Sequence, residues 1–137
     1  MTLLHKKVDL FLCTDYPLAH CVSADYALGA GIARDFERRF HLRKVLEVVG
    51  SHTYPDCIKT GNVFNLVTKE RYWHKPTEQT LAAALHLMKE QMSKSGVIKI
   101  AMPEIGCGLD RLSWPRVRQI LSSIFEDTEV ELLVCYL

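Results

Sequence analysis

The sequence predicts a single α/β domain arranged as an α/β/α sandwich. Short apolar runs alternate with amphipathic helical stretches along the chain. The final run, Val130 to Leu137, is apolar almost throughout and needs cover on both faces. The length, 137 residues, suits one domain spanning 1–137, with a core that needs no disulfide or metal staple.

Each element has its own signal. Asp9 to Leu12 and Leu18 to Val22 read as short strands. Ala30 to Phe40 sets Ile32, Ala33, Phe36 and Phe40 on one helical face, with Arg34, Glu37 and Arg38 elsewhere. Val45 to Val49 fits either helix or strand. Cys57 to Lys59 and Val63 to Thr68 flank Thr60-Gly61-Asn62, the pattern of a hairpin. Thr77, just after Pro76, is placed to cap a helix whose apolar face is Leu81, Leu85, Met88 and Met92. Gly96 closes that helix as its C-terminal glycine. Val97 to Met102 is a strand. Ser113 caps the last helix, with Pro115 in its first turn and Val117, Ile120, Leu121, Ile124 and Phe125 on one face.

Composition excludes several function classes. Hydrophobic residues make up 48% of the chain, which is the composition of a globular protein. A net charge of +1 gives no basis for duplex nucleic acid as the main partner. The five cysteines are odd in number and none sits at C-x-x-C spacing, against a disulfide framework or a zinc site. The six histidines show no ligand pair at helical spacing, so no metal is expected. Reduced thiols suggest an intracellular protein, in the nucleus or the cytoplasm. No stretch approaches the ~20 apolar residues of a membrane span, and Leu10 to Leu12 is too short for a signal-peptide core. Nothing demands an oligomer, so a monomer is expected.

Two glycine loops carry the chemistry. Gly29-Ala30-Gly31 and Gly106-Cys107-Gly108 each follow a strand and precede a helix. Glycine permits positive φ and close approach of a ligand to the backbone. Successive N–H groups and the positive end of a following helix suit anions, so the two loops together could hold two phosphates beyond the carboxyl ends of the strands. No Gly-Lys-Ser/Thr occurs, which excludes a Walker loop. Arg34 stands where a dinucleotide fingerprint needs its last glycine or alanine.

Lys69 ends the Val63 to Thr68 strand, and Asp110 lies just beyond Gly108. A lysine amine can attack a sugar C1, and a carboxylate beside it can move the protons. The amine must be neutral to attack, whereas a close carboxylate favours the cation; ligand binding has to shift that balance. The plainer reading of the pair is a solvated lysine or phosphate contact and a residue on the approach to a helix. His20 and Cys21, adjacent in one strand, point to opposite faces and form no dyad. Cys107 reads as a small residue filling a tight loop. Trp73-His74-Lys75-Pro76 reads as a loop leading into a helix, with the capacity to fold over a ligand.

A family likeness rests on specific strings: Leu18-Ala19-His20-Cys21-Val22-Ser23, Leu28-Gly29-Ala30-Gly31-Ile32-Ala33, Leu66-Val67-Thr68-Lys69, His74-Lys75-Pro76-Thr77, and Met102 through Leu112. From about Lys7 to Leu137 the chain resembles a macrodomain. More narrowly it resembles the terminal ADP-ribose glycohydrolase branch, also described as O-acetyl-ADP-ribose deacetylases. The resemblance implies a three-layer α/β/α macrodomain with a mixed, mostly parallel central sheet and no cofactor. It implies that Asp9 accepts a hydrogen bond from the adenine amine, with the Leu10 backbone nearby, and that Ser23 contacts the distal part of the ligand. Gly29, Ala30, Gly31 and Ile32, with Glu104, Ile105, Gly106, Cys107, Gly108 and Leu109, would wrap the diphosphate and distal ribose, and Leu137 would close the adenine end. Lys69 would be the nucleophile at C1 of that ribose and Asp110 the acid/base.

The implied partners are ADP-ribose and ADP-ribosylated proteins. The substrate is ADP-ribose esterified to a glutamate or aspartate carboxylate, or O-acyl-ADP-ribose; DNA enters only through ADP-ribosylated bases. Two departures stand out. Val8 precedes Asp9 where the family often has glycine, and Glu104 stands where close relatives often have arginine. The Asn-Ala-Ala-Asn run of water-activating macrodomain hydrolases is missing, which favours the lysine–aspartate route. The rival readings are a non-catalytic ADP-ribose reader and an ADP-ribose 1″-phosphate phosphatase.

Overall fold

The protein is described here as a computed structural model covering residues 1–137. Six strands form one sheet: β1 (Thr2–Lys7), β2 (Leu18–Ser23), β3 (Asp56–Thr60), β4 (Val63–Lys69), β5 (Lys99–Pro103) and β6 (Glu131–Tyr136). Their spatial order is β1-β6-β5-β2-β4-β3. Every neighbouring pair is parallel except the β3–β4 hairpin. Helices α1 (Gly31–Phe40) and α2 (Leu42–Val49) cover one face, through Phe36, Leu42 and Leu46. Helices α3 (Glu78–Ser95) and α4 (Trp114–Phe125) cover the other. The three-layer mixed sheet expected from the sequence is therefore present.

The two long helices form where their sequence signals lie. In α3, Thr77 Oγ1 accepts the Thr80 N–H at 3.0 Å and Thr80 Oγ1 accepts the Thr77 N–H at 3.0 Å, a reciprocal capping box. Gly96 ends the helix at φ 70°. Leu81, Leu85, Met88 and Met92 are all buried, as the spacing predicts. Ser113 takes the N-cap position of α4, but its side chain makes no capping hydrogen bond.

Three segments depart from the sequence reading. Asp9 to Leu12 is not a strand: Leu10–Leu12 forms a 3-10 turn, because Asp9 Oδ1 accepts the Phe11 N–H at 2.9 Å and closes the chain locally. The opening residues, assigned to no element, form edge strand β1 against β6; half of it faces solvent, so Lys6 and Lys7 mask the pattern. The ambiguous Val45 to Val49 belongs to helix α2, where Leu42 and Leu46 point inward while Val48 and Val49 remain exposed.

His20 and Cys21 diverge as expected from strand alternation. Cys21 packs toward the α3/α4 side. His20 is fully buried and its ring stacks on Phe36, centroids 3.8 Å apart. Asn65 donates through Nδ2 to Ile58 O and Thr60 Oγ1, so its Oδ1 accepts from His20 Nε2 at 2.7 Å. Burial pushes the His20 pKa from 6.5 down to about 4, against the pull of that hydrogen bond. The unfolded chain therefore takes up this proton before the folded one does. Stability is full above about pH 6.5 and is lost as the pH falls toward 4, by on the order of 3 kcal/mol. Thermal unfolding between pH 7 and 4 checks this: His20→Gln should flatten the acid slope, and an unchanged slope would assign it to other groups.

Candidate active site

The parallel strands end on one side of the sheet, and a cleft of about 1020 Å³ opens there. It sits between β2 and β5, whose ladder is limited to Leu18 opposite Ala101. From β2 the chain passes to α1 on one face, and from β5 to α4 on the other. This is the reversal in connectivity where open α/β sheets form a crevice.

Both glycine loops line this cleft. Gly31 has φ 59°, and a Cβ there would come within 3.1 Å of the Leu109 side chain. The first loop thus touches the second, through residues 78 positions apart in sequence (109 − 31). Gly106 has φ 73°, and a Cβ there would lie 3.0 Å from Leu112 Cδ1, inside a turn closed by the Leu112 N–H on Gly106 O at 2.7 Å. Positive φ therefore explains only Gly31 and Gly106. Gly29 and Gly108 do not need it, and at Gly108 the absent side chain simply leaves space open.

Helix α1 starts at Ala30 with no side-chain cap and no acidic residue in its first turn. Its free N–H groups and positive dipole end are left for an anion. The chain leading into it is strained: buried Tyr26 and Leu28 hold φ of 54° and 44°, at a cost of roughly 1–3 kcal/mol each. Asp25 ties this segment down. It accepts from Ser23 Oγ at 2.5 Å, the Ala27 N–H at 3.2 Å and the Tyr72 N–H at 3.0 Å. Partial burial works against the Asp25 carboxylate, but the hydrogen bonds from Ser23, Tyr72 and Ala27 outweigh it and hold its pKa below the usual range.

Lys69, at the end of β4, and Asp110, in the second loop, meet in the same cleft. Lys69 Nζ donates to Asp110 Oδ1 at 2.5 Å, and the two side chains are only 14% and 12% exposed. Lys75 Nζ donates to Leu109 O at 2.5 Å and fastens the loop one residue earlier.

The remaining expected residues all border the cleft, in different ways. At the far end lie Asp9, the buried Leu10, and Leu137, which is largely exposed at the rim. One Asp9 carboxylate oxygen is already engaged by Phe11. The Glu104 side chain turns sideways to His5 Nε2 at 3.0 Å, and His5 packs between Trp114 and Tyr136. Cys107 Sγ donates to Ile105 O at 3.3 Å, and its pKa is pushed up to about 11 by burial and by Glu104, which favours the protonated thiol. Phe11, Asp25, Arg39 and Tyr72 were not found from the sequence, and Lys75 was read there only as part of a helix-entry loop able to fold over a ligand. The Arg39 guanidinium lies over the Phe11 ring at 4.2 Å. An Asp-capped turn, rather than a strand, at Asp9 is the one signal that would have exposed Phe11.

The three-layer mixed sheet, in the order β1-β6-β5-β2-β4-β3, matches the fold of solved macrodomains. The macrodomain of Thermus aquaticus DarG has the same fold, with a TM-score of 0.85 and 23% identity over 99% of both chains. Thermosipho africanus DarTG, solved in complex with ADP-ribose, matches with a TM-score of 0.85 and 17% identity, over 98% of this chain and 41% of that one. No protein-family model matches the chain. Human ADP-ribose glycohydrolase OARD1 is 39% identical over 135 residues, 95% of this chain and 88% of that protein. The bovine protein of the same name matches equally. The chain belongs to the OARD1 family.

Proposed function

We propose that the protein is an ADP-ribose glycohydrolase that releases ADP-ribose from glutamate or aspartate carboxylates and deacylates O-acyl-ADP-ribose. The carrying observation is the Lys69–Asp110 pair, 2.5 Å apart and nearly buried, at the wall of a cleft lined by both glycine loops. Kinship with proteins named ADP-ribose glycohydrolase supports the same reading.

In this reading the diphosphate lies against the free N–H groups of α1 and the second loop. Adenine reaches toward Asp9 and Phe11, and the distal ribose toward Lys69. The Lys69 ammonium passes a proton to Asp110, and the neutral amine attacks C1 of the ribose. The C1–O bond to the carboxylate breaks, the electron pair leaves on the carboxylate, and a C1–Nζ bond forms. The C1-bound nitrogen gives up one proton to the freed carboxylate, Asp110 protonates the ring oxygen, and the ring C1–O bond breaks as the nitrogen lone pair forms a C1=Nζ iminium. Water adds to C1, the C1–Nζ bond breaks, and Lys69 is regenerated with free ADP-ribose. The net reaction is ester plus water giving acid plus ADP-ribose.

The test is a peptide carrying glutamate-linked ADP-ribose. Free ADP-ribose and unmodified peptide are expected. Tight binding without release would establish the reader instead. Release from ADP-ribose 1″-phosphate alone would establish the phosphatase, and release only from modified DNA bases the nucleobase hydrolase. The proposed setting is inside the cell, with the protein acting as a monomer.

A further inference from the structure

We propose that a second, smaller pocket beside Lys69 receives the carboxylate half of the substrate; this rests on the hydrolase reading above. The pocket measures about 190 Å³ and lies against the first turn of α3. Tyr54, Thr68, Glu70 and His74 line it, and Lys69 and Lys75 border both this pocket and the large cleft.

Thr68 points to a ligand. Along β4, Phe64 and Leu66 face the α3/α4 core, and alternation turns Thr68 the same way, toward the α3 first turn that walls the pocket. The residue is 1% exposed, yet its Oγ1 has no hydrogen-bond partner in the protein. A buried hydroxyl left unpaired is costly, so the position calls for a polar occupant.

The other groups decide the sign of that occupant. Tyr54 and Thr68 bring hydroxyl donors to the lining, and the Lys69 and Lys75 ammonium groups, each holding one hydrogen bond in the large cleft, keep further N–H donors beside it. His74 Nδ1 accepts the Arg71 N–H at 3.3 Å, which leaves a proton on Nε2 as a further donor. Glu70 is the single carboxylate among the lining residues. The α3 terminus itself adds little, since the Thr77–Thr80 box already satisfies it. A small space rich in donors suits one carboxylate, such as acetate or a glutamate side chain. Lys69 borders both spaces, so a ribose carbon within reach of its Nζ brings the departing carboxylate to the pocket.

The experiment uses sodium acetate as the probe on the whole protein. Acetate should shift the amide signals of Thr68–Glu70, Lys75 and Thr77 saturably, with ADP-ribose present or absent, and should inhibit release from the glutamate-linked peptide. Thr68→Val should weaken both effects roughly tenfold, the loss of one hydrogen bond to a charged group, while ADP-ribose affinity stays the same. Thr68→Ser should restore both. Turnover indifferent to acetate and to Thr68→Val would overturn the subsite and leave the hydrolase reading intact, the pocket then holding water only. No turnover with any ester would overturn the hydrolase reading, and the subsite with it.

Discussion

Lys69→Ala is expected to bind ADP-ribose and to release none of it from a glutamate-linked peptide. The nucleophile is the one group that the proposed route cannot replace, so the rate should fall by at least about a thousandfold. Binding should survive, because the free N–H groups of α1 and the turns of the second loop do not depend on that side chain. A complication is physical: removing the ammonium strands a carboxylate that is only 12% exposed, which destabilises the protein. Lys69→Arg separates the two effects. A guanidinium keeps the charge beside Asp110 but stays protonated and is no nucleophile. Both variants should be inactive, with Lys69→Arg the more stable. If either turns over near the wild-type rate, with calorimetric affinity intact, the covalent route is wrong.

Gly108→Phe should abolish binding without unfolding the protein. A Cβ at Gly108 meets no protein atom within 4 Å, and the residue lines the cleft. A large side chain therefore costs the fold little while taking up space that a diphosphate or ribose needs. Affinity for ADP-ribose should drop at least roughly a hundredfold, a loss of about 2.7 kcal/mol. Gly31 and Gly106 make poorer tests. Both hold positive φ with side chains 3.1 and 3.0 Å from where a Cβ would be, so substitution there confounds folding with binding. Isothermal titration, paired with a melting curve, checks Gly108→Phe; unchanged affinity would remove the second loop from the ligand site.

What could be read from the sequence follows from where each signal is stored. Helix α3 carries its cap, its apolar face and its terminal glycine within one local stretch, and all three appear in the structure. Strand β1 was not legible, because an edge strand half in solvent has no clean alternation. Asp9 misled for a related reason: four residues of mixed polarity cannot distinguish a strand from a turn closed by the aspartate itself. The glycine loops were legible as local strings, but that Gly31 touches Leu109 was not. The Lys69–Asp110 pair spans 41 residues (110 − 69), and no local pattern links them; a strand end and a glycine loop pointed to each residue, family likeness supplied their roles, and the fold joined them. Asp25 and Phe11 stayed hidden, and Lys75 was legible only as part of a loop, because their importance lies in contacts made across the chain. Asp25 fastens Tyr72, Lys75 holds Leu109 O, and Phe11 meets Arg39.

The most direct measurement is a titration of the intact protein with free ADP-ribose, followed through backbone amide signals. The signals of Gly29–Ile32 and Gly106–Leu109 should move together and saturate with a single dissociation constant, and Lys69 and Asp110 should respond in the same concentration range. Movement in only one loop, or none at saturating ligand, would show that the two chain segments do not grip one diphosphate.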